Sequence, residues 1–205
     1  MIVGVLGLQG DIEEHISATN LALSRLGIEG EPLLVGSIDD AKRISALIIP
    51  GGESTVMGSL SSVKGVLPTL RERISGGLPT LGTCAGMIML AKKVSDRVVG
   101  ETSQTLIGTM DITVERNSFG RQRESFEADL KLDIPGAGRF RGVFIRAPSV
   151  KSLGHGVKEL ARLGDAVVAV QQGNTIGTAF HPELSGSTVL HEQLIRLVKA
   201  GTLEA

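Results

Sequence analysis

Three short apolar runs, each cut off by a glycine-bearing loop, limit what this chain can fold into. They are Ile2 to Leu6 before Gly7-Leu8-Gln9-Gly10, Ala46 to Pro50 before Gly51-Gly52, and Leu78 to Leu81 before Gly82-Thr83-Cys84-Ala85-Gly86. Runs this short and this apolar read as strands buried on both faces. Between them lie helical segments. One starts near Asp11 or Ser17 and continues through Leu21, Leu23 and Leu26 to Gly27, and a shorter one covers Ile38 to Ile44. With Pro32 to Val35 as a further strand, the order is strand, helix, strand, helix, strand, the rhythm of a parallel sheet with helices on both faces. Such sheets gather ligands beyond the C-terminal ends of their strands.

The third run carries the chemistry. A strand climbs to a turn of small residues, the only cysteine of the chain stands in that turn, and the apolar stretch Met87-Ile88-Met89-Leu90-Ala91 leaves at once as a helix. This is the layout of a nucleophile elbow, where small neighbours let the backbone bend sharply and expose the reactive atom. A helix start behind Cys84 favours its thiolate. A lone cysteine is otherwise a small core residue, but such a residue has no need of Gly82 and Gly86. The helix is expected to run to about Lys93, with Lys92 and Lys93 at its C-terminus.

Beyond it the pattern changes. The segment from Ser95 to Gly108 reads as a loop, whereas Asp111 to Glu115 and Phe126 to Leu132 alternate apolar and polar residues, as does a strand with one wet face. Val143 to Arg146 is another strand. Ala166 to Val170 and Thr175 to Phe180 form a hairpin, and a last helix covers about Thr188 to Ala200. The expected architecture is α/β, a three-layer α/β/α sandwich with a mostly parallel central sheet and an antiparallel extension. At 205 residues one domain over 1–205 is enough, burying ~70% of its unfolded surface without cross-links. Trp and Tyr are absent and Phe numbers five, so Val, Ile, Leu, Ala and Met must build the core. A formal charge of −1 gives no electrostatic case for nucleic acid or anionic lipid. One cysteine rules out an intramolecular disulfide and a cysteine-rich zinc site. No apolar run reaches membrane-spanning length, and the opening Met-Ile-Val-Gly-Val enters a strand directly, so a soluble cytoplasmic protein without metal or cofactor is expected.

A cysteine nucleophile needs a base, and usually a third group to orient that base. Among four histidines His181 is best placed, just past a strand, with Pro182 stiffening the turn so that Glu183 can reach back to the ring. His15 and His191 fall within helical segments and read as surface or packing residues, and His155 sits in a loop without an evident partner. Attack on a carbonyl creates an oxyanion that pre-placed N–H donors must stabilise. Gly51-Gly52 can offer one and Ala85 the other. Gln9-Gly10 and Glu53-Ser54 belong to the same sheet edge, and Arg116 and Arg146 can each hold a carboxylate by a bidentate fork. The reaction class is acyl transfer through a thioester.

The runs Gly7-Leu8-Gln9-Gly10, Pro50-Gly51-Gly52-Glu53-Ser54-Thr55, Gly82-Thr83-Cys84-Ala85-Gly86, Arg116-Asn117-Ser118-Phe119-Gly120-Arg121-Gln122, Phe144-Ile145-Arg146-Ala147-Pro148 and Phe180-His181-Pro182-Glu183 together resemble the class I glutamine amidotransferases. Within that class they resemble the glutaminase subunits of ribose 5-phosphate-dependent pyridoxal 5′-phosphate synthase, the PdxT/SNO family. The resemblance implies a flavodoxin-like fold and hydrolysis of L-glutamine to glutamate and ammonia. It implies Cys84 as nucleophile, His181 as proton shuttle and Glu183 as its orienting partner. It also implies glutamine binding by Gly52, Glu53, Ser54, Arg116, Ile145 and Arg146, and an oxyanion hole from Gly51, Gly52 and Ala85. Ammonia would pass to a separate (β/α)8 synthase subunit, an obligate activating partner in a hetero-oligomer. Docking would rearrange the Gly51-Gly52 peptide, with Gln9 and Gly10 in the coupled loop. The alternatives are the glutaminase subunit of another amidotransferase such as imidazole glycerol phosphate synthase, a non-glutaminase cysteine hydrolase, or an inert regulatory subunit on the same fold.

Overall fold

The computed structural model describes residues 1–96, 100–119 and 125–203. In chain order the elements are β1 (Ile2–Leu6), α1 (Ile12–Leu26), β2 (Glu31–Val35), α2 (Ile38–Arg43), β3 (Ala46–Ile49), α3 (Ser54–Val63), α4 (Val66–Ser75), β4 (Thr80–Thr83), α5 (Ala85–Leu90), β5 (Ala91–Asp96), β6 (Gly100–Glu101) and β7 (Met110–Arg116). They continue with β8 (Ser125–Lys131), β9 (Arg139–Ile145), β10 (Ser149–Leu153), β11 (Val157–Leu163), β12 (Ala166–Gln172), β13 (Thr175–Thr178), a 3₁₀ turn over Pro182–Leu184 and α6 (Val189–Leu203).

Eleven strands share one sheet in the order β2-β1-β3-β4-β13-β12-β10-β7-β5-β6, with β11 paired to β12. The first five run parallel, each in register with its neighbour. Their order is the flavodoxin-like 2-1-3-4-5, with β13 in fifth place. Beyond β13 the pairing turns antiparallel through β12, β10 and β7. The extension is therefore as large as the parallel core it was expected to flank. No described helix is long and apolar enough to cross a membrane.

Local chemistry accounts for the elements. Gly27, left-handed at φ 60°, closes α1 by donating its N–H to the carbonyls of Leu23 and Ser24. Ser37 and Asp40 form a reciprocal capping box that starts α2. The strand β3 is buried at every position, as its apolar run requires. At the elbow a side chain on Gly86 would stand 2.0 Å from the Ile49 carbonyl oxygen, and one on Gly82 would stand 2.7 Å from the backbone of Gly86. Both glycines therefore let β4, β3 and α5 touch backbone to backbone.

Four expectations change. The helix behind Cys84 ends at Leu90 rather than near Lys93, because all six of its residues are already buried and Ala91 turns extended to pair with β7. Lys92 and Lys93 are consequently exposed strand residues, and Lys92 pairs with Asp111 at 3.2 Å. The loop from Ser95 to Gly108 contains the end of β5 and the two-residue β6. Near its end Arg71 donates to the carbonyls of Leu106 and Ile107 at 2.8 Å each. Two unforeseen strands, β10 and β11, flank the His155 turn. The motif residues Gly120, Arg121 and Gln122 lie outside the described residues.

The ribbon β8–β9 forms a small sheet of its own. All five phenylalanines of the chain meet beneath it. Phe126 and Phe144 stack at 4.8 Å, while Phe180 packs on Phe144 at 5.6 Å and on Phe140 at 5.2 Å. The aliphatic residues fill the sheet, but the aromatics fix the ribbon to the segment that delivers His181. The Val143 carbonyl accepts the His181 N–H at 2.8 Å, completing that attachment.

Candidate active site

Cys84 stands between β4 and α5 with φ 48° and ψ −103°, a conformation that L residues avoid. Its N–H donates to the Thr178 carbonyl at 2.8 Å and its own carbonyl accepts from Ile88 at 3.3 Å, so the neighbouring strand and helix hold the bend. Among the described residues two further non-glycine residues have positive φ, Asn117 at 53° and Arg146 at 43°. All three line a single cavity of about 280 Å³. Strain of this kind costs of order 1–3 kcal/mol per residue and persists where the surroundings over-determine it.

The cavity lies at the C-terminal edge of the parallel strands. Loops after β1, β3 and β4 contribute Gln9, Asp11, Gly52, Glu53, Ser54 and Cys84, and the segment after β13 contributes His181. The far wall is Arg116, Asn117, Ile145 and Arg146, from the ends of β7 and β9. Every residue expected to bind glutamine is thus on one cavity wall or another. Gly51 and Ala85 sit directly behind it in sequence, and Glu183 lies beneath. The Cys84 sulfur is 3.8 Å from the Ile145 carbonyl oxygen and lines the same cavity as the His181 ring.

His181 is nearly fully buried, and its Nδ1 faces two carboxylates, Glu183 Oε1 at 2.8 Å and Asp11 Oδ2 at 3.1 Å. Nδ1 therefore carries a proton. Burial pulls the His181 pKa down, but hydrogen bonds with Asp11, Cys84 and Glu183 outweigh it and push the ring up to about 12. Asp11 is held below the usual carboxylate range by its hydrogen bond from His181. Burial raises Glu183 despite its bond to the imidazole. Asp11, His181 and Glu183 also bring three ligand-type atoms within 4.8 Å of one another. Both carboxylates address the same ring nitrogen, so hydrogen bonding to an imidazolium accounts for the cluster without a cation.

The backbone of Gly51 and Gly52 is held from the β1 loop. Gly51 accepts from the Asp11 N–H at 3.4 Å, and Glu53 donates its N–H to Gln9 Oε1 at 2.7 Å. Gly52 has φ 147°, and a side chain there would stand 2.4 Å from Gln9 Oε1. Arg116 spreads its guanidinium over Glu53 Oε1 at 2.9 Å, Gln104 Oε1 at 3.2 Å and Thr55 Oγ1 at 3.3 Å.

Sequence reasoning missed several participants. Asp11 looked like a helix-start residue, yet it makes no capping bond and turns to His181 instead. Gln104, from the stretch read as a featureless loop, also donates to Ser54 Oγ at 3.2 Å. His15 and His191, read as surface or packing residues, are buried and form a polar chain, with His15 Nδ1 3.0 Å from His191 Nε2 and His15 Nε2 3.3 Å from Glu183 Oε2. Their signal was faint: His15 follows Asp11 by four positions, one helical turn. His155 is in the exposed turn between β10 and β11, bonded through its backbone N–H to Asp111.

Residues 5–200 match the model of the SNO glutamine amidotransferase family. Among curated proteins the chain is similar to the pyridoxal 5′-phosphate synthase subunit PdxT of Aeropyrum pernix, at 51% identity over 97% of this chain and all of that one. It is 49% identical to the protein of the same description from Sulfurisphaera tokodaii, again over 97% of this chain and all of the relative. Among solved structures it superimposes on a glutamine amidotransferase with a TM-score of 0.84 and 46% identity, covering 97% of this chain and 100% of the other. A glutamine amidotransferase of Thermotoga maritima shares the fold alone, at 13% identity and a TM-score of 0.61 over all of this chain and 98% of that one.

Proposed function

The chain belongs to the SNO glutamine amidotransferase family, and on that premise we propose that it is the glutaminase subunit of a pyridoxal 5′-phosphate synthase, a single domain that hydrolyses L-glutamine and hands ammonia to a (β/α)8 synthase subunit. The observation that carries the reading is the meeting of Cys84, from the β4–α5 elbow, with His181 and its partner Glu183, from the segment after β13, at one small cavity. Glutamine lies with its side-chain amide at Cys84 and its charged end toward Arg116, Glu53 and Arg146, with the backbone of Ile145 beside it.

With His181 held as the imidazolium, the Cys84 proton already resides on Nε2, and the sulfur attacks the amide carbon as the thiolate, giving a tetrahedral oxyanion. The Ala85 N–H, at the start of α5, and the Gly51-Gly52 peptide are the donors that stabilise it. His181 then protonates the departing nitrogen, the C–N bond breaks and ammonia leaves behind a thioester. Water attacks that thioester as His181 takes its proton, and collapse releases glutamate and restores the thiolate beside the imidazolium. Glu183 holds Nδ1 so that Nε2 faces the sulfur throughout.

Because Asp11 and Gln9 hold the Gly51-Gly52 segment, movement of the β1 loop on docking changes the presentation of its N–H groups. This supports control of the glutaminase by the synthase subunit. A cytoplasmic setting suits a protein whose single thiol must stay reduced. The test is ammonia release from glutamine by the complex of both subunits. Cys84→Ala abolishes it, and an electrophilic glutamine analogue labels Cys84 stoichiometrically in the wild-type complex. Continued release by the variant would overturn the nucleophile assignment.

A further inference from the structure

The orienting carboxylate is itself embedded in a buried polar chain. Glu183 is fully buried, and while Oε1 holds His181, its other oxygen has no aligned donor among the described residues. His15 Nε2 stands 3.3 Å from that oxygen and 3.1 Å from Thr83 Oγ1. Thr83 immediately precedes the nucleophile. On the opposite side of the ring, His15 Nδ1 meets His191 Nε2 at 3.0 Å, and His191 Nδ1 is buried without a partner among the described residues.

These contacts select a tautomer. Two adjoining neutral imidazoles share one hydrogen between His15 Nδ1 and His191 Nε2. If His15 supplied it, His191 would carry its proton on the partnerless Nδ1, and a bare His15 Nε2 would confront a carboxylate oxygen. If His191 supplies it, only a lone pair goes unmatched and His15 Nε2–H points between Thr83 and Glu183. A buried donor without a partner costs more than a carbonyl-like lone pair left idle. Burial keeps both rings neutral, well below their ordinary range for His15 and down to about 4 for His191.

We propose that His15 is a positioning residue for glutamine hydrolysis, its Nε2–H shared between Glu183 Oε2 and Thr83 Oγ1 in a tautomer set by His191. The inference rests on the glutaminase reading above for its kinetic consequence. A three-centre bond of this kind ties the residue before Cys84 to the residue that orients His181, so it fixes sulfur and imidazole relative to each other. Asp11 and His15 stand one turn apart on α1 and bracket the His181–Glu183 pair from the same side.

Two measurements decide it. In the complex with the synthase subunit, His15→Leu lowers kcat about tenfold with KM within about twofold, since orientation and not substrate contact is lost. His15→Gln, whose side-chain N–H reaches the place of Nε2–H, recovers most of that rate. Wild-type kcat in His15→Leu, or a His15→Gln variant no faster than it, overturns the proposal. Nitrogen NMR of the isolated wild-type chain, which needs no variant to fold, shows both rings as the Nε2–H tautomer. A proton on His15 Nδ1 overturns the proposal too. A wild-type complex that releases no ammonia would sink the glutaminase reading, and the tautomer measurement would still decide the role of His15.

Discussion

Two carboxylates share one imidazole N–H in this site, and that redundancy has a measurable signature. Glu183 Oε1 at 2.8 Å is fully buried, whereas Asp11 Oδ2 at 3.1 Å belongs to a side chain 38% exposed. A hydrogen bond to a charged partner contributes about 1.5–3 kcal/mol, and exposure takes part of that away from Asp11. In Glu183→Gln the amide oxygen still accepts but the charge is gone, and Asp11 is positioned to hold the ring. The expected loss of kcat is about tenfold, or ~1.4 kcal/mol. Asp11→Asn alone, with Glu183 intact, loses about threefold. With both carboxylates neutralised nothing anionic fixes Nδ1, and the loss reaches about a thousandfold. The product of the single losses is about thirtyfold, so the double-mutant cycle yields a coupling of ~2 kcal/mol. The assay is glutamate formation at saturating glutamine in the presence of the synthase subunit. Losses that simply multiply, within a factor of two, would show that Asp11 and Glu183 do not serve the same nitrogen.

Other perturbations follow from the same structure. The His191 ring is buried neutral with its pKa pulled down to about 4, so between pH 6.5 and 4 the unfolded chain binds a proton the folded one refuses. Stability from this group is present above its unfolded pKa and drains away as pH falls toward 4, by about 3 kcal/mol in all. His191→Leu should therefore lose less melting temperature between pH 7 and pH 4 than the wild type does, and equal losses would remove His191 from the account. Phe144 is fully buried and packs on Phe119, Phe126 and Phe180. Phe144→Ala should cost about 3–5 kcal/mol and lower the melting temperature by about 10 °C, measured by calorimetry. Arg116→Ala should raise KM for glutamine about 10- to 100-fold through loss of a charge-assisted contact, with kcat changed less than threefold. A fall in kcat at unchanged KM would assign Arg116 to the chemistry instead of to binding.

The parallel core and the elbow were legible because they are local. The run Ala46 to Ile49 is buried at every position and apolar throughout, and Thr80 to Thr83, equally buried, is built of small residues around Leu81, so both declare themselves. The helix after Cys84 was misread past Leu90 because Ala91 to Asp96 carries no strand-like alternation strong enough to compete with a continuing apolar run. Only β7 lying beside it makes it a strand. The two strands β10 and β11 went unseen for a related reason. Their pairings are interrupted by register shifts, which blur the period-two signal that marks a strand.

By itself the order of residues determined that a thiol would stand at a sharp strand-to-helix turn, and that an imidazole and a carboxylate would follow a later strand two positions apart. Those are matters of glycine tolerance, apolar run length and spacing along the backbone. Tertiary structure alone decided that β13 lies beside β4, which sets His181 against Cys84 across nearly a hundred intervening residues. It also decided that α1 and α6 pack together with His15 and His191 facing inward, and that Asp11 turns from its helix cap to the His181 ring. Contacts between residues so far apart depend on which strands become neighbours and which side chains end up sharing a dry interior, and neither is encoded in any short stretch of the chain.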